Sequence, residues 1–500
     1  MDVSSRIDQR SSSQSGVFVA VLVGVTMVAA IISSLGAPLI PSIARSLNVS
    51  VDEAQWSLTA ALLCAAVAAP IMGRLGDGKH RRQTIIGGLV VVLIGSVIAG
   101  LADSLGVLIL GRAMQGVGLG IAPVTMAAAR DHLPRERGHA VIGLLSVSAA
   151  AAVGAGYPIS GLIANEIDVH AAFFFGGVMT ALALVAAVRV IPSSRSAKAT
   201  PLDVPGAAVI AAGLISLLIA IGQGEVWGWG STATISLFVL AIIILGAWVR
   251  LQLSRDAPLV DLRQLRHRAV LTADLAAVVL GVAMYMFLTL VTEFVQVPQS
   301  QSYGLGASSL VAGLCLVPFS VMSVAASRAT VWVTRWTSPS AVLVSGSAII
   351  AAAGAFFALF HDAIWQAFVA MGVIGIGFGG TFAAIPGIIT TAVPRHETGS
   401  AMGLYQVIRY IGFSIGSAVA ATILAGNTLP GGTQIAERGY VIALWVGTAV
   451  CAVSAGTTCL LSYRVGTRSL SPTDMADRRL ALDDAELSSA GLVGVESDDD

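Results

Sequence analysis

Charged side chains are scarce in this 500-residue sequence, where Asp, Glu, Lys and Arg make up 11% of the residues. An average soluble domain carries about 25%. The formal net charge is +0, which gives no electrostatic reason to expect nucleic acid as a partner. Cysteine is also rare, and the four that occur lack metal-ligand spacing: Cys64, Cys315, Cys451 and Cys459. We therefore predict neither a disulfide framework nor a metal site.

The sequence also lacks a Walker-type phosphate-binding loop. No arrangement of nucleophile, base and acid typical of a hydrolase can be found either. We therefore predict no catalytic residue, no enzymatic activity and no bound cofactor.

Apolar residues make up 56% of the chain and fall into fourteen segments. Each is near the length of about 20 residues that a helix needs to cross a bilayer. The segments are 17–40, 56–73, 84–102, 106–129, 140–164, 171–191, 204–223, 231–250, 269–294, 306–328, 340–360, 364–391, 401–425 and 439–462. We predict an all-α integral membrane protein with the lipid bilayer as its surroundings.

Basic residues between the spans fall on alternate sides. With the amino terminus in the cytoplasm, 24 Lys and Arg lie on the cytoplasmic side, and only Arg45 and Arg438 lie outside. Positive residues favour the cytoplasmic side of a membrane. The pattern predicts a multi-pass protein of the plasma membrane with both termini in the cytoplasm.

A glycine motif and a Pro-Arg pair occur twice. Gly116, Gly118 and Gly120 in span 4 recur 259 positions later in span 12, and Pro134-Arg135 recurs 260 positions later as Pro394-Arg395. Span 12 is therefore the counterpart of span 4, and span 9 that of span 1. Repeated halves of this kind are typical of transporters that rock around a central site.

The repeat predicts six helices, two inserted helices and six more, with halves related by a pseudo-twofold axis. The predicted regions are a cytoplasmic amino-terminal segment, a first bundle, two inserted helices with their loops, a second bundle and an acidic cytoplasmic tail: 1–15, 16–191, 192–268, 269–462 and 463–500. The tail has the composition of a solvated, disordered segment.

The loop between spans 2 and 3 begins at Gly73 and combines Asp77 with Arg81 and Arg82. Its glycines permit a sharp reversal. Opposite charges that pair in one conformation and separate in another meet the requirement for a gate. The alternative is a positive-inside topology signal with one incidental acid.

Span 5 carries small residues every fourth position, including Gly156. Small residues let membrane helices approach closely. Pro158 lies within this stripe and removes a backbone donor, which predicts a bending point. Ordinary helix packing is the alternative.

Among the charged residues within spans or at their edges, four are candidates for a functional role: Arg112, Asp274, Glu293 and Arg409. A charge at the bilayer centre costs about 2.5–3.5 kcal/mol on insertion scales, which favours a use for it. Arg112 has Met371 as its repeat counterpart, so packing symmetry does not require an arginine, and we predict a coupling or gating role. For Arg409 and Asp274, functional and structural interpretations remain open. Glu293 lies roughly 35 Å from Val270 along span 9. This places it near the outer surface, where a solvated side chain is expected.

Span 9 also carries a run of Met and aromatic residues, Met284-Tyr285-Met286-Phe287. Such side chains suit an adaptable apolar pocket, although packing or contact with lipid is the commoner role.

The loop sequence Gly73-Arg74-Leu75-Gly76-Asp77-Gly78-Lys79-His80-Arg81-Arg82 resembles the signature between helices 2 and 3 of the major facilitator superfamily. Gly78 and His80 depart from it. Fourteen spans resemble the drug:proton antiporter branch. Further resemblances to that branch are found in spans 2, 4, 5 and 13 and in the linker into span 10. The residues are Gln55-Trp56 with Thr59 at the start of span 2, Leu110 to Gly116 in span 4, Gly156 with Gly161 in span 5, Arg409 with Gly412 and Gly416 in span 13, and Gln296, Ser308, Gly313 and Pro318 in the linker.

One departure concerns span 1, where the branch usually carries an acid. Aligned on Pro41, the acid position is Ile32 and the usual Asn is Ala37. In span 5, Tyr157-Pro158 stands where Gly-Pro is usual.

The resemblance implies an exporter of hydrophobic or amphipathic small molecules, with that substrate and protons as partners. Without an ATP-binding loop, the work must come from an ion gradient. One alternative is an exporter of an endogenous metabolite or lipid with atypical or no proton coupling. A channel or membrane sensor is a further alternative, against which the repeat and the gate loop argue.

Overall fold

A computed structural model describes residues 3–34, 36–193, 202–255, 257–301, 303–334, 336–428 and 435–466. Within these ranges the chain is helical, and its one isolated β-bridge joins Thr428 and Ile435. The predicted tail lies outside the described residues from 467 onward. The predicted all-α class is confirmed.

Seventeen α-helices make up the described chain. They are α1 (Val3–Ser34), α2 (Gly36–Leu47), α3 (Val51–Gly76), α4 (Arg81–Gly100), α5 (Leu105–Gly116), α6 (Ile121–His132), α7 (Arg135–Glu166), α8 (Val169–Val190), α9 (Val204–Trp227), α10 (Thr232–Ser254), α11 (Arg268–Gln296), α12 (Ser309–Leu314), α13 (Leu316–Val333), α14 (Pro339–Leu359), α15 (Ile364–Ala392), α16 (Thr398–Ala425) and α17 (Glu437–Gly466).

These helices follow the predicted spans in order. Thirteen described stretches are long and apolar enough to cross a membrane. The 32-residue α7 occupies the position of predicted span 5. The architecture of fourteen spans therefore agrees with the sequence in outline.

Three spans are interrupted, and the third, span 10, consists of α12 and α13, separated at Cys315. Predicted span 1 consists of α1, which begins already at Val3, and α2, whose first turn contains Gly36 and Pro38. Proline is tolerated there because the first helical turn leaves its N–H groups unpaired. Span 4 consists of α5 and α6, joined by a 3₁₀ turn at Val117–Gly120.

Side-chain caps fix the starts of many helices. In each case an oxygen of the residue before the helix accepts a hydrogen bond from the backbone N–H three positions later. The capping residues are Ser50, Asp168, Asp203, Ser231, Ser308 and Ser338.

Helices α1–α8 (the amino-terminal group) meet helices α11–α17 (the carboxy-terminal group) mainly through α3 and α6 against α16 and through α7 against α12, α13 and α15. Helix α9 lies against both α3 and α16, beside this junction. Helix α10 is peripheral and exposes an apolar face suited to lipid, formed by Ile235, Val239, Leu240, Ile242 and Ile243. The division at residues 191 and 269 stays a prediction.

Small residues bring helices of the carboxy-terminal group together. A β carbon built at Gly412 of α16 would lie 2.5 Å from the carbonyl oxygen of Val278 in α11, and one at Gly281 would lie 2.9 Å from the carbonyl oxygen of Arg409. Larger side chains would not fit between these backbones. The glycine stripe of span 13 is therefore the contact surface for α11.

Candidate functional site

Asp77 connects the two helix groups at the end of the bundle where α3 ends and α16 begins (the Asp77 end). It follows the last residue of α3, and its side chain is 1% exposed. Its Oδ1 accepts a hydrogen bond from the backbone N–H of Gly399 at 2.5 Å, and its Oδ2 accepts one from Ser400 at 2.9 Å. A carboxylate is favoured at a helix amino terminus, where N–H groups are unpaired and the helix dipole is positive.

Two effects set the protonation of Asp77. Burial raises its pKa to about 6, while the hydrogen bonds from Ser400 and Gly399 act in the opposite direction. The carboxyl group is therefore mostly ionised at neutral pH, where it can accept both N–H donors.

The helix backbones come unusually close at this contact. A β carbon built at Gly403 of α16 would lie 2.8 Å from the carbonyl oxygen of Ala69 and 3.0 Å from Cα of Pro70 in α3. Gly73 and Gly399 also face each other backbone to backbone. Glycine at these positions is required by the close approach.

The two arginines of the same loop remain within the amino-terminal group. Arg81 is 3% exposed, pairs with Asp131 at 2.7 Å and donates from Nε to the carbonyl oxygen of Gly76 at 2.6 Å. Arg82 donates to the carbonyl oxygen of Val188 at 2.6 Å. The expected pairing of Asp77 with Arg81 and Arg82 is thus corrected: the acid binds the start of α16, and each arginine has a partner of its own.

Arg130, at the end of α6, makes a second connection between the groups. It donates to Oγ1 of Thr398 at 2.6 Å and to the carbonyl oxygens of Val393 at 2.9 Å and Pro394 at 3.3 Å, and it also bonds the Thr390 carbonyl. A cation suits the carboxyl end of a helix, here α15. Arg130 is not among the site residues predicted from the sequence.

Residues with the repeat spacing meet in this part of the molecule. Arg130 and Thr390 are 260 positions apart, and the hydroxyls of Ser146 and Tyr405, 259 positions apart, lie 3.2 Å from each other. Residues related by a twofold axis touch where they lie close to that axis. These contacts fit the pseudo-twofold arrangement of the halves.

A cavity of about 130 Å³ lies beyond the contact, between α3, α9, α11 and α16. Its lining combines aromatic, apolar and hydroxyl groups, including Gln55, Thr59, Leu218, Tyr285, Tyr410, Phe413 and Ser414. Of the predicted run in span 9, only Tyr285 lines this cavity. Met284, Met286 and Phe287 are at most 1% exposed and pack in the core. Packing, the commoner role for such a run, thus applies to these three side chains, because consecutive helical residues point in different directions; a substrate contact of Tyr285 stays a prediction.

Arg112 lies fully buried within the amino-terminal group. It donates to the carbonyl oxygen of Ile32 at 3.0 Å and to Oε1 of Gln115 at 2.7 Å, and its guanidinium lies 5.8 Å from the ring centre of Phe173. Gln115 in turn donates to Oγ of Ser96 at 3.0 Å. The arginine thus touches the position where the resembling branch carries its acid, and it finds a backbone carbonyl there.

The two acids of α11 differ in exposure. Asp274 is 5% exposed, and its Oδ1 has no hydrogen-bond partner among the described residues. It lies one helical turn before Val278, on the face that packs against α16. Glu293 is exposed near the far end of the same helix, as the solvated interpretation predicts.

Arg409 is buried at the boundary between the groups. It is 2% exposed and lies 5.4–5.9 Å from four ring centres, those of Phe382, Tyr405, Tyr410 and Phe413. Its Nη1 makes only long contacts of 3.5 Å to the hydroxyls of Ser146 and Tyr405.

Within α7, Gly156 is buried and Pro158 continues the helix without ending it. Pro158 contacts the partner group, because a β carbon at Gly313 of α12 would lie 3.2 Å from its Cα. The packing around Gly161 is outside what the structure describes.

The helices and their contacts define a membrane protein built from two helix groups that meet through α3, α7, α13 and α16. The chain belongs to the Major Facilitator Superfamily, whose family model matches residues 22–417. It is therefore a multi-pass membrane transporter and not an enzyme.

The curated relatives include proteins named for antibiotic or drug resistance. The chain is 26% identical to the tetracenomycin C resistance and export protein of Streptomyces glaucescens, over 82% of this chain and 75% of that one. It is 27% identical to the multidrug resistance protein Stp of Mycobacterium tuberculosis, over 77% and 71%. It is 26% identical to the puromycin resistance protein pur8 of Streptomyces alboniger, over 85% and 84%.

A solved structure has the same fold. The human organic anion transporter MFSD10 (TETRAN) superposes with a TM-score of 0.62 at 13% identity, covering 89% of this chain and 99% of that one. At this identity the likeness concerns the fold alone.

Proposed function

We propose that this transporter exports hydrophobic or amphipathic small molecules across a bacterial plasma membrane by alternating access, driven by proton influx. The contact of Asp77 with the start of α16 carries the proposal. It closes one end of the boundary between the helix groups, while an apolar cavity lies beyond it. An acid that caps a helix of the other group can release it when water replaces the two N–H donors, which makes the contact a reversible gate.

Small toxic molecules are the class of substrate that we propose. The relatives named for tetracenomycin C, puromycin and multidrug resistance support it. Aromatic rings and hydroxyls in the cavity suit molecules with an apolar body and a few polar groups.

The orientation follows from the charge pattern. With 24 basic residues on one side and two on the other, the Asp77 end faces the cytoplasm. In a cysteine-free background, a single cysteine at Ser231 should label from outside, and one at Ser194, which lies outside the described residues, only after permeabilisation. Labelling of both from the same side would contradict the placement of α9 and α10.

Asp274 is the carboxyl group that we assign to proton coupling. It is buried in α11, which corresponds to span 9, the repeat counterpart of span 1. In span 1, Ile32 stands where the resembling branch carries an acid. One proton moving through about 150 mV releases roughly 3.5 kcal/mol, enough for a gradient of a few hundredfold. Arg112 cannot release a proton at physiological pH, so its part is electrostatic.

Reconstituted vesicles test the coupling. Asp274→Asn should abolish substrate accumulation driven by an imposed pH step but retain counterflow, whereas Arg112→Ala should impair both. Accumulation by Asp274→Asn vesicles would show that this acid is not the proton carrier. Drug susceptibility and exported metabolites, compared between deletion and overexpression strains, would supply the substrate for these vesicles.

A second candidate is export of an endogenous metabolite or lipid without proton titration in the first half. The observation that favours it is Ile32, which is fully buried and offers Arg112 only a backbone carbonyl. Counterflow without any response to the pH step would support this candidate.

A further inference from the structure

Arg409 is a buried cation without a buried anion. Among the described residues, no ion pair includes it, and its Nε has no hydrogen-bond partner. The contacts of Nη1, at 3.5 Å, are at the long limit for a hydrogen bond. A buried charge is costly unless it is paired and hydrogen-bonded.

The aromatic rings compensate only part of that cost. Phe382, Tyr405, Tyr410 and Phe413 place their ring centres within 6 Å of the guanidinium, where each cation–π contact contributes about 0.5–2 kcal/mol. The rings stabilise positive charge, and the hydroxyls of Tyr405 and Tyr410 offer the N–H groups neutral acceptors, which bind a guanidinium less strongly than a carboxylate does. The cluster thus holds a cation in place and leaves donors for an incoming group.

Three donor groups, one guanidinium and two hydroxyls, converge at the same point. Ser146 contributes a hydroxyl from α7, Tyr405 contributes one from α16, and these two hydroxyls lie 3.2 Å apart beside the guanidinium. Ser146 belongs to the amino-terminal group and Arg409 to the carboxy-terminal group. Substrate sites of transporters with repeated halves lie at such a boundary.

The cluster shares two of its rings with the cavity. Tyr410 and Phe413 face Arg409 and also line the space between α3, α9 and α11. Tyr285 lies 5.7 Å from Phe413, ring centre to ring centre. A planar apolar body among these rings would bring an attached acidic group toward the guanidinium as the two groups of helices separate.

We propose that Arg409, Ser146 and Tyr405 form the subsite for an oxyanion on the transported molecule, so that amphipathic aromatic acids are a preferred substrate class. The inference rests on the proposed export function. It gives the guanidinium a bidentate acceptor and the cavity the apolar part of the same molecule.

Paired probes test the subsite in full-length protein in lipid nanodiscs. 2-Naphthoate and its neutral analogue 2-naphthamide have nearly the same shape, and their binding is measured by calorimetry at pH 7.5. The unmodified protein should bind the acid about tenfold more tightly, since a hydrogen-bonded charge pair outweighs a neutral contact by that order. Arg409→Gln should abolish the preference while changing naphthamide binding by less than about twofold.

Arg250→Gln is the matched control, because Arg250 is exposed on peripheral α10 and loses the same charge; it should retain the preference. Tyr405→Phe keeps the ring and removes only the hydroxyl, so it tests the cluster even if Arg409→Gln fails to fold, and it should reduce the preference about threefold. Equal binding of both probes by the unmodified protein, binding of neither, or a preference that survives both variants would overturn the subsite.

Counterflow separates this inference from the export function. Vesicles that exchange naphthamide without distinguishing the acid would contradict the subsite and leave export standing. A preference for naphthoate binding without any counterflow would contradict export and leave the subsite standing.

Discussion

The two contacts between the helix groups differ in their chemistry. At the Asp77 end, a carboxylate and a guanidinium cap helices of the other group, through Asp77 on α16 and Arg130 on α15. Along α7, the contacts are between neutral groups: Gly313 lies against Pro158, and Ser320 donates one hydrogen bond to the Ala151 carbonyl at 2.7 Å.

The two kinds of contact allow one boundary both to open and to hold the groups together. Charged caps are readily replaced by water when a contact opens, because water solvates both partners. Small residues pack closely at both contacts, so the charged caps are what distinguishes the Asp77 end. We therefore assign the gate to the contact between α3 and α16. The contact of α7 with α12 and α13 is the persistent one, about which the two groups rotate.

Asp77→Asn should have the largest effect, because an amide has only one acceptor oxygen for two N–H donors. An unsatisfied buried donor costs about 1–3 kcal/mol, which corresponds to about tenfold slower transport. Vesicle counterflow at pH 7.5 measures it. Asp131→Asn is the matched control at the same end, since Asp131 pairs within its own group. Equal loss of folded protein and of transport would make the loop an assembly element.

Arg130→Gln should have a smaller effect, with transport about threefold to fivefold slower, because a neutral amide still donates to some of the α15 carbonyls. Arg137→Gln is the matched control. It removes the same charge from an exposed residue nearby, which shows no bond to the other group within the described residues. An equal response of the two variants in the counterflow assay would remove Arg130 from the gate.

Gly403→Ala tests the gate through packing alone. Its methyl group would lie 2.8 Å from the Ala69 carbonyl oxygen and must push α3 and α16 apart. Overpacking of this kind costs about 1–3 kcal/mol, and we expect counterflow about threefold slower with normal extraction from the membrane. A faster or unchanged rate would show that the closed contact does not limit the cycle.

Gly313→Ala and Pro158→Ala should have the smallest effects. A methyl at Gly313 would lie 3.2 Å from the nearest Pro158 atoms, so a shift of a few tenths of an ångström accommodates it. We expect transport within about twofold of the unmodified protein and a small change in thermal stability. A loss as large as that of Gly403→Ala would reverse the assignment of gate and persistent contact.

The order of the spans could be predicted from the sequence, because the length of an apolar segment and the charge of a loop are local properties. It identified Asp77 but not its partner, since Gly399 and Ser400 lie more than 320 positions away while Arg81 and Arg82 are close in sequence. Only packing of α3 against α16 brings these groups together.

Two further residues of the candidate site, Arg130 and Leu218, were not predicted from the sequence, for different reasons. Arg130 looked like one more basic loop residue, although it stands four positions before Pro134 as Thr390 stands before Pro394. That repeated position near the twofold axis was the signal available. Leu218 of the inserted helix α9 lines the cavity, but α9 has no counterpart in the repeat from which a position could be predicted.

The most direct measurement of the gate is the distance between spin labels at Lys79 and His396, both exposed at the Asp77 end on opposite groups. Cysteines replace these two residues in a background without Cys64, Cys315, Cys451 and Cys459, and a pair at Lys79 and Arg189, within one group, is the control. We predict a dominant short distance at pH 7.5 that Asp77→Asn shifts toward a longer one while the control pair stays unchanged. An unchanged Lys79–His396 distribution, with transport lost, would contradict the assignment of Asp77 as the residue that holds the groups together.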